Sequence, residues 1–347
     1  MSASTTIALD AMGGDHGPES VLPGAALALE KHPHIRVLLF GDERRIKPIL
    51  DKHPELKAVS TIRHTDKMIR SEEKPSAALR ASKDSSMRLA IEAVNDGEAA
   101  AVVSAGNTGA LMALAKMVLK PLAGIHRPAI ASIFPTMKGE TIMLDLGANV
   151  LVDAENLVQF AVLGSVFAKV HMGTAVPSVG LLNVGSEEVK GPDHVRGAAN
   201  ILSQVDFPGH YQGFVEGDDI TKGTVDVVVS DGYAGNVALK AAEGVGKLTN
   251  YMFKKTMSRD PLAMLGGLLA FFSLKRLQRK IDPRRYNGGV FLGLNGLCVK
   301  SHGGCDALAF SSAVNLAAEL AEQDYIERVG RHIENLMEQE SFLSQDL

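Results

Sequence analysis

The sequence predicts an α/β protein built on a mainly parallel, doubly wound sheet, and three observations lead there. Short β-rich runs alternate with longer helical patterns over 347 residues, and strand–helix–strand alternation makes parallel sheets. Several runs are apolar at consecutive positions, as in strands covered on both faces. Polar, glycine-rich clusters follow the runs, and in open α/β sheets the loops after strands build the ligand site.

In chain order the candidate strands are TIALD (6–10), RVLLF (36–40), AVSTIR (58–63), AAVVS (100–104), AIASIF (129–134), TIMLDL (141–146), SVGLLN (178–183), YQGFV (211–215), VDVVVS (225–230), VFLGL (290–294) and GLCVK (296–300). Helical patterns fill 19–31, 82–96, 107–119, 154–171, 194–204, 233–256 and 304–323. A last helix, 325–339, places Ile326, Val329, Ile333 and Leu336 on one face at i, i+3, i+7 and i+10. No internal repeat, low-complexity tract or clear linker divides the chain. Residues 1–340 are therefore expected to form a single domain with room for two subdomains.

The bulk composition sets limits. Apolar residues at 46% and charged residues at 22% suit a soluble protein with a sizeable core. A net charge of −4 argues against a general nucleic-acid binder. Cys298 and Cys305 form neither a CxxC pair nor a disulfide framework, which points to a reducing, cytoplasmic setting. The start, MSASTTIALD, lacks the basic and apolar regions of a signal peptide. No uninterrupted run of about 20 apolar residues offers a spanning helix.

One segment breaks the alternation. KKTMSRDPLAMLGGLLAFFSLKRLQRKIDPRRY, 254–286, is apolar for 12 residues from Pro261 to Phe272. Nine basic residues flank that centre against Asp260 and Asp282, a local charge of +7 that leaves −11 elsewhere. Residues 251–286 read as a helical hairpin whose apolar tip dips into an anionic membrane surface. A dimer contact, a dock for an acidic protein and a buried core helix are the other readings.

The chemistry sits in six clusters: DAMGGDHGP (10–18), SAGNTGA (104–110), LDLGAN (144–149), NVGSEEVKGPDH (183–194), SDGYAGNV (230–237), and GLNG with KSHGGCD (293–306). For any one of them a tight turn or a helix cap is the simplest account. All six together are expected to converge on one cleft, where glycine lets backbone N–H groups approach a ligand and helix starts favour an anion. Lys190 stands in such a loop and suits a phosphate or an oxyanion, with a solvated surface lysine as the alternative. Named motifs are missing. GVGKLT (244–249) lacks the first glycine and the Ser/Thr of a P-loop, GxGxxG fails at Thr249, and no GxSxG elbow or HExxH appears. Neither ATP nor NAD is expected, nor any cofactor or metal. Glu216 with Asp218 and Asp219 reads as an acidic turn, and both cysteines read as buried small hydrophobes.

IALDAMGGDHGP, KPSAALRASKDSSM, SAGNTGALM, LDLGAN, LLNVGSEEVKG, SDGYAGNV and the late KSHG together resemble the bacterial phosphate acyltransferases, the acyl-ACP:phosphate transacylases of phospholipid synthesis. The resemblance runs to about residue 325. It implies a three-layer α/β/α sandwich similar to phosphotransacetylases and isocitrate/isopropylmalate dehydrogenases. It also implies a homodimer in which inorganic phosphate takes a fatty acyl group from acyl carrier protein. The product, acyl phosphate, then serves a membrane glycerol-3-phosphate acyltransferase. By resemblance Lys190 and Asn236 are the catalytic residues. Asp10, Gly13, Gly14, Asp15, His16, Asn107, Thr108, Asp231, Gly232 and His302 bind substrate. Leu262, Leu265, Leu268, Leu269 and Phe272 touch the membrane, which makes the protein cytoplasmic and peripherally membrane-associated. The residues suit this chemistry, because phosphate is its own nucleophile and the protein needs only to hold an anion against a thioester and stabilise an oxyanion. A dehydrogenase of related fold and a membrane-surface scaffold are the rival readings.

Overall fold

The structure, a computed structural model, describes residues 5–73, 75–259, 261–280 and 282–343. Its strands are β1 (Thr6–Asp10), β2 (Arg36–Gly41), β3 (Ser60–His64), β4 (Ala101–Ser104), β5 (Ala129–Thr136), β6 (Gly139–Leu144), β7 (Ser178–Leu182), β8 (His210–Val215), β9 (Val227–Val229), β10 (Gly289–Leu292) and β11 (Leu297–Lys300). Its helices are α1 (Pro18–Leu29), α2 (Glu43–Leu50), α3 (Pro54–Val59), α4 (Pro75–Ala81), α5 (Ser86–Asn95), α6 (Thr108–Val118), α7 (Ala154–Met172), α8 (Asp193–Leu202), α9 (Gly217–Lys222), α10 (Gly232–Arg259), α11 (Pro261–Leu269), α12 (Phe271–Lys280), α13 (Ala307–Glu322) and α14 (Tyr325–Leu343). All eleven strands join one sheet in the order β3-β2-β1-β4-β11-β10-β5-β6-β9-β7-β8.

Side chains on alternate strand positions enter separate cores. Ile7 and Leu9 of β1 belong to the core shared by α1, α7 and α13, whereas Ala8 between them belongs to the core shared by α5 and α6. In the other half Ile142 and Leu144 of β6 join the first core and Met143 faces a smaller one with Ile220 of α9. A period of two places successive residues on opposite faces, so strands apolar at every position are buried on both sides. That burial makes the three layers. In α14, Val329, Ile333 and Leu336 are buried along the expected face, and the hydroxyl of buried Tyr325 donates to Leu163 O at 3.2 Å.

Four short helices lie where the sequence suggested no helix. Asp42 caps α2 through Arg44 N at 2.9 Å, and Pro54 opens α3, which takes Ala58 and Val59 from the expected strand. α4 begins at Pro75, and Lys74 lies outside the described residues. The Glu216–Asp219 stretch, read as an acidic turn, is the capped first turn of α9.

A charged clamp ties the layers. His171 at the end of α7 bonds Glu140 of β6 and Glu319 of α13, each at 3.1 Å. Burial alone pushes this imidazole down, but the two carboxylates overcome it and its pKa is pushed up to about 9. A group raised in the folded state stabilises fully below its ordinary value of 6.5, and that stabilisation is lost as pH rises through about 9. Urea midpoints are therefore expected to fall over that window, and to fall less in His171→Gln.

Candidate functional site

Strand direction divides the six loops. β1, β2, β3, β4 and β11 are mutually parallel, and β10 and β5 then reverse the chain by antiparallel pairing. β6 is antiparallel to β5, so β6, β9, β7 and β8 run opposite to β1. The six loops therefore leave the sheet at two opposite edges. The loops after β1, β4 and β11 share one edge, and those after β6, β9 and β7 share the other.

In the first group Asp10, at the end of β1, is buried. Its carboxylate accepts hydrogen bonds from Ser86 Oγ at 2.6 Å and Ser104 Oγ at 2.7 Å. Burial raises its pKa, against the lowering by these hydroxyls. A methyl group at Gly13 would lie 2.7 Å from Asp10 Oδ2 and 2.8 Å from Gly106 N, so only glycine lets the two loops meet. Asp15 N donates to Gly303 O at 2.8 Å, joining the loop after β1 to the loop after β11. Asn107 caps α6 through Ala110 N at 3.0 Å, and its amide nitrogen donates to Ser71 O and Glu73 O. Asp15, Asn107, Thr108, Lys300 and Gly303 line an open cleft of about 310 Å³. Gly14 sits beside it, and His16 and His302 are exposed nearby in sequence. A second cleft, about 410 Å³, flanks Met12 with Arg45, Lys67, Met68 and Arg70.

The second group is organised by buried Asp145. It accepts from the backbone N–H groups of Ile130, Gly147, Ala148 and Asn149 and from the Asn149 amide, at 2.7–3.2 Å. Asn149 O in turn accepts from Gly232 N at 2.8 Å, and Asp231 caps α10 through Ala234 N at 2.8 Å. Asn236, one turn further on, is exposed and faces Gly147. In the loop after β7, Asn183 donates to Lys190 O at 3.0 Å and fixes the backbone. The Lys190 side chain is about half exposed and pairs with Glu187 at 2.7 Å, a partner that raises its pKa. Among the described residues no hydrogen bond joins Lys190 to Asn236. His194 Nε2 is buried without a hydrogen-bond partner and lies 3.9 Å from Asp231 Oδ2.

α10 connects the two groups. Asn236, Lys240, Glu243 and Lys247 recur at i, i+4, i+7 and i+11, one face of a helix. Glu243 pairs with Lys240 at 3.0 Å and reaches His302 at 3.7 Å. Seven residues of helix rise separate Asn236 from Glu243, about 10 Å. Away from the clefts, His32, His34 and Glu322 present donor atoms at metal-ligand spacing, at the far ends of α1 and α13.

A family model described as "Fatty acid synthesis protein" matches residues 5–328. The phosphate acyltransferase of Rhodospirillum centenum is 56% identical over 329 residues, 95% of this chain and 93% of that one. The chain belongs to the phosphate acyltransferase family. The same enzyme of Paramagnetospirillum magneticum is 53% identical, over 97% of this chain and 96% of its own. Phosphotransacetylases from Staphylococcus aureus and Streptococcus pyogenes superpose with TM-scores of 0.61 and 0.63, each at 17% identity. They cover 92% and 93% of this chain, and 94% and 95% of their own. That likeness shows the fold, the α/β/α sandwich that the motifs implied. As a phosphate acyltransferase the protein is an acyltransferase of lipid synthesis.

Sequence reasoning passed over Ser86, Ser104, Asp145 and Lys300 in this phosphate acyltransferase. Lys300 stood inside a quoted cluster, KSHGGCD, at the end of a strand. Its position, directly before a glycine loop, was the available signal. Ser104 opens SAGNTGA and Ser86 lies in KPSAALRASKDSSM, but their bonds to Asp10, 94 and 76 residues away, leave no local trace.

Proposed function

We propose that this acyltransferase moves a fatty acyl group from acyl carrier protein to inorganic phosphate without a covalent enzyme intermediate. A phosphate oxygen attacks the thioester carbonyl, the C–O bond forms, the C–S bond breaks, and the thiolate leaves to take up a proton. The observation that carries the reading is the pair of glycine-lined loop groups bridged by the polar face of α10. One group offers Lys190 and Asn236 to the oxyanion, and the other offers the open start of α6 and its cleft. Direct attack also fits the state of the two thiols: Cys298 and Cys305 are buried, and burial drives the Cys298 pKa far up. A buried protonated thiol is a poor nucleophile.

Residues 1–340 act in this proposal as one catalytic domain with 251–286 as its hairpin. Leu262, Leu268, Leu269 and Phe272 are 71–82% exposed, which suits an apolar tip seated on an anionic membrane; the Leu265 side chain lies outside the described residues. No described helix is long and apolar enough to cross a membrane. In this proposal the protein is cytoplasmic and meets the membrane peripherally. Val237, Val245, Leu248 and Met252 leave an exposed apolar stripe along α10, which suits a homodimer. The acyl phosphate made at the surface passes to the membrane glycerol-3-phosphate acyltransferase.

Purified protein given acyl-ACP and phosphate is expected to release ACP thiol and hydroxylamine-trappable acyl phosphate in equal amounts. Thiol release that continues at the same rate without phosphate overturns the proposal.

A further inference from the structure

Lys300 ends β11 at the point where the loops after β1 and β4 meet. Its ammonium donates to the backbone carbonyls of Ala105, at 3.4 Å, and Ser301. Among the described residues it has no carboxylate within 4.0 Å, in contrast to Lys190 and its Glu187. The buried Asp10 acts on it through its charge, yet each Asp10 oxygen already accepts a serine hydroxyl. A lysine carries three donors, and carbonyl acceptors leave its charge unneutralised. The ammonium lines the open cleft with Thr108 and Gly109, the first two residues of the eleven-residue α6. The N-cap side chain bonds Ala110 N, so it leaves the earlier N–H groups of that turn to other partners. A half-buried cation and a helix start line the same cleft, beside the exposed Asp15 carboxylate, and together favour an oxyanion.

We infer that Lys300 and the first turn of α6 form a phosphate-binding subsite, separate from the Lys190–Asn236 pair, that holds a phosphate group of the substrates. The inference rests on the acyl transfer proposed above. The chemistry has two sources: the inorganic phosphate acceptor, or the phosphodiester on the pantetheine arm of the acyl donor. Burial lowers the Lys300 pKa to about 8, against the upward pull of the Asp10 and Asp15 carboxylates. His302, whose side chain is largely exposed, is itself lowered by partial desolvation and by the charges of Lys300, Lys240 and Lys247, against Glu243. The cation is thus largely present at neutral pH and is lost above about 8, so sulfate, whose charge is constant in this range, should bind more weakly there.

The test uses the wild-type chain first. Lysines are reductively methylated in trace amounts at neutral pH and read by mass spectrometry, with inorganic phosphate, sulfate or 4′-phosphopantetheine added in separate arms. Selective protection of Lys300 by inorganic phosphate supports the subsite and assigns it to the acceptor. Protection by 4′-phosphopantetheine alone supports it and assigns it to the donor. No protection of Lys300 by either phosphate compound at millimolar concentration overturns it. Lys300→Met should then weaken the protecting ligand by about tenfold or more, read as KM against kcat, while Lys300→Arg retains most of the affinity. Thr108→Val, on the other side of the cleft, should act in the same direction if Lys300→Met fails to fold. Protection of Lys300 in a protein that makes no acyl phosphate would leave the subsite standing and remove only the proposed reaction.

Discussion

Lys190→Ala and Asn236→Ala are each expected to slow acyl-phosphate formation by about 10²–10³-fold, the loss that follows removal of one oxyanion donor, or about 2.7–4 kcal/mol. Neither change should reduce stability much. The Lys190–Glu187 pair is exposed on both sides, and such pairs contribute about 0–1 kcal/mol. Asn236 is exposed on α10, where alanine is the better helix former. A large loss of turnover with an unchanged melting temperature therefore separates a chemical role from a structural one. Asn236→Asp sharpens the test, because it keeps the shape, removes the donor and adds a negative charge near the developing oxyanion. It should be at least as slow as Asn236→Ala. Near wild-type turnover in Lys190→Ala would return that lysine to the solvated surface, where its ion pair with Glu187 already places it.

The second large effect is expected at the hairpin. Leu268→Glu with Phe272→Glu should abolish sedimentation with anionic vesicles while sparing acyl transfer in vesicle-free solution. Burial of a leucine or phenylalanine side chain stabilises by about 1.5–3 kcal/mol, so loss of two such contacts lowers membrane affinity by about a hundredfold or more. Both side chains are largely exposed, at 71% and 82%, and a glutamate at either position meets water. The folded state should tolerate the pair. Unfolding of this variant would instead mark the segment as part of a core. Vesicles without anionic lipid should bind the wild type less well, since Lys275 and Arg276 stand exposed beside the tip.

The sheet was legible because its strands are apolar on both faces, and every one of the eleven candidate runs became a strand. The missed helices, such as α3 and α9, are one or two turns long, too short for periodicity to register. Strand direction was hidden for a different reason. Reversal at β10 and β5 depends on which strands pair, and pairing between residues as distant as Phe291 and Ile130 leaves no local trace. The site was legible as a set of loops, not as a geometry. Glycine marked where backbones meet at Gly13 and Gly232, but nothing local marked the hydroxyls of Ser86 and Ser104 that join the Met12 N–H at Asp10.

The placement of β11 also bears on how the chain is made. β11 completes the second ladder of β4, yet it begins about 190 residues later. At a synthesis rate of about 5–20 residues per second, the nascent amino-terminal half waits about 10–40 s with the edge of β4 unpaired. That edge is Ala-Val-Val-Ser, buried throughout in the finished sheet, and an open apolar edge invites pairing with a neighbouring chain. While still tethered to the ribosome, the half-sheet thus carries an open edge until its last strand arrives. Lys300, the final residue of that strand, reaches the cleft only when the vulnerable interval ends.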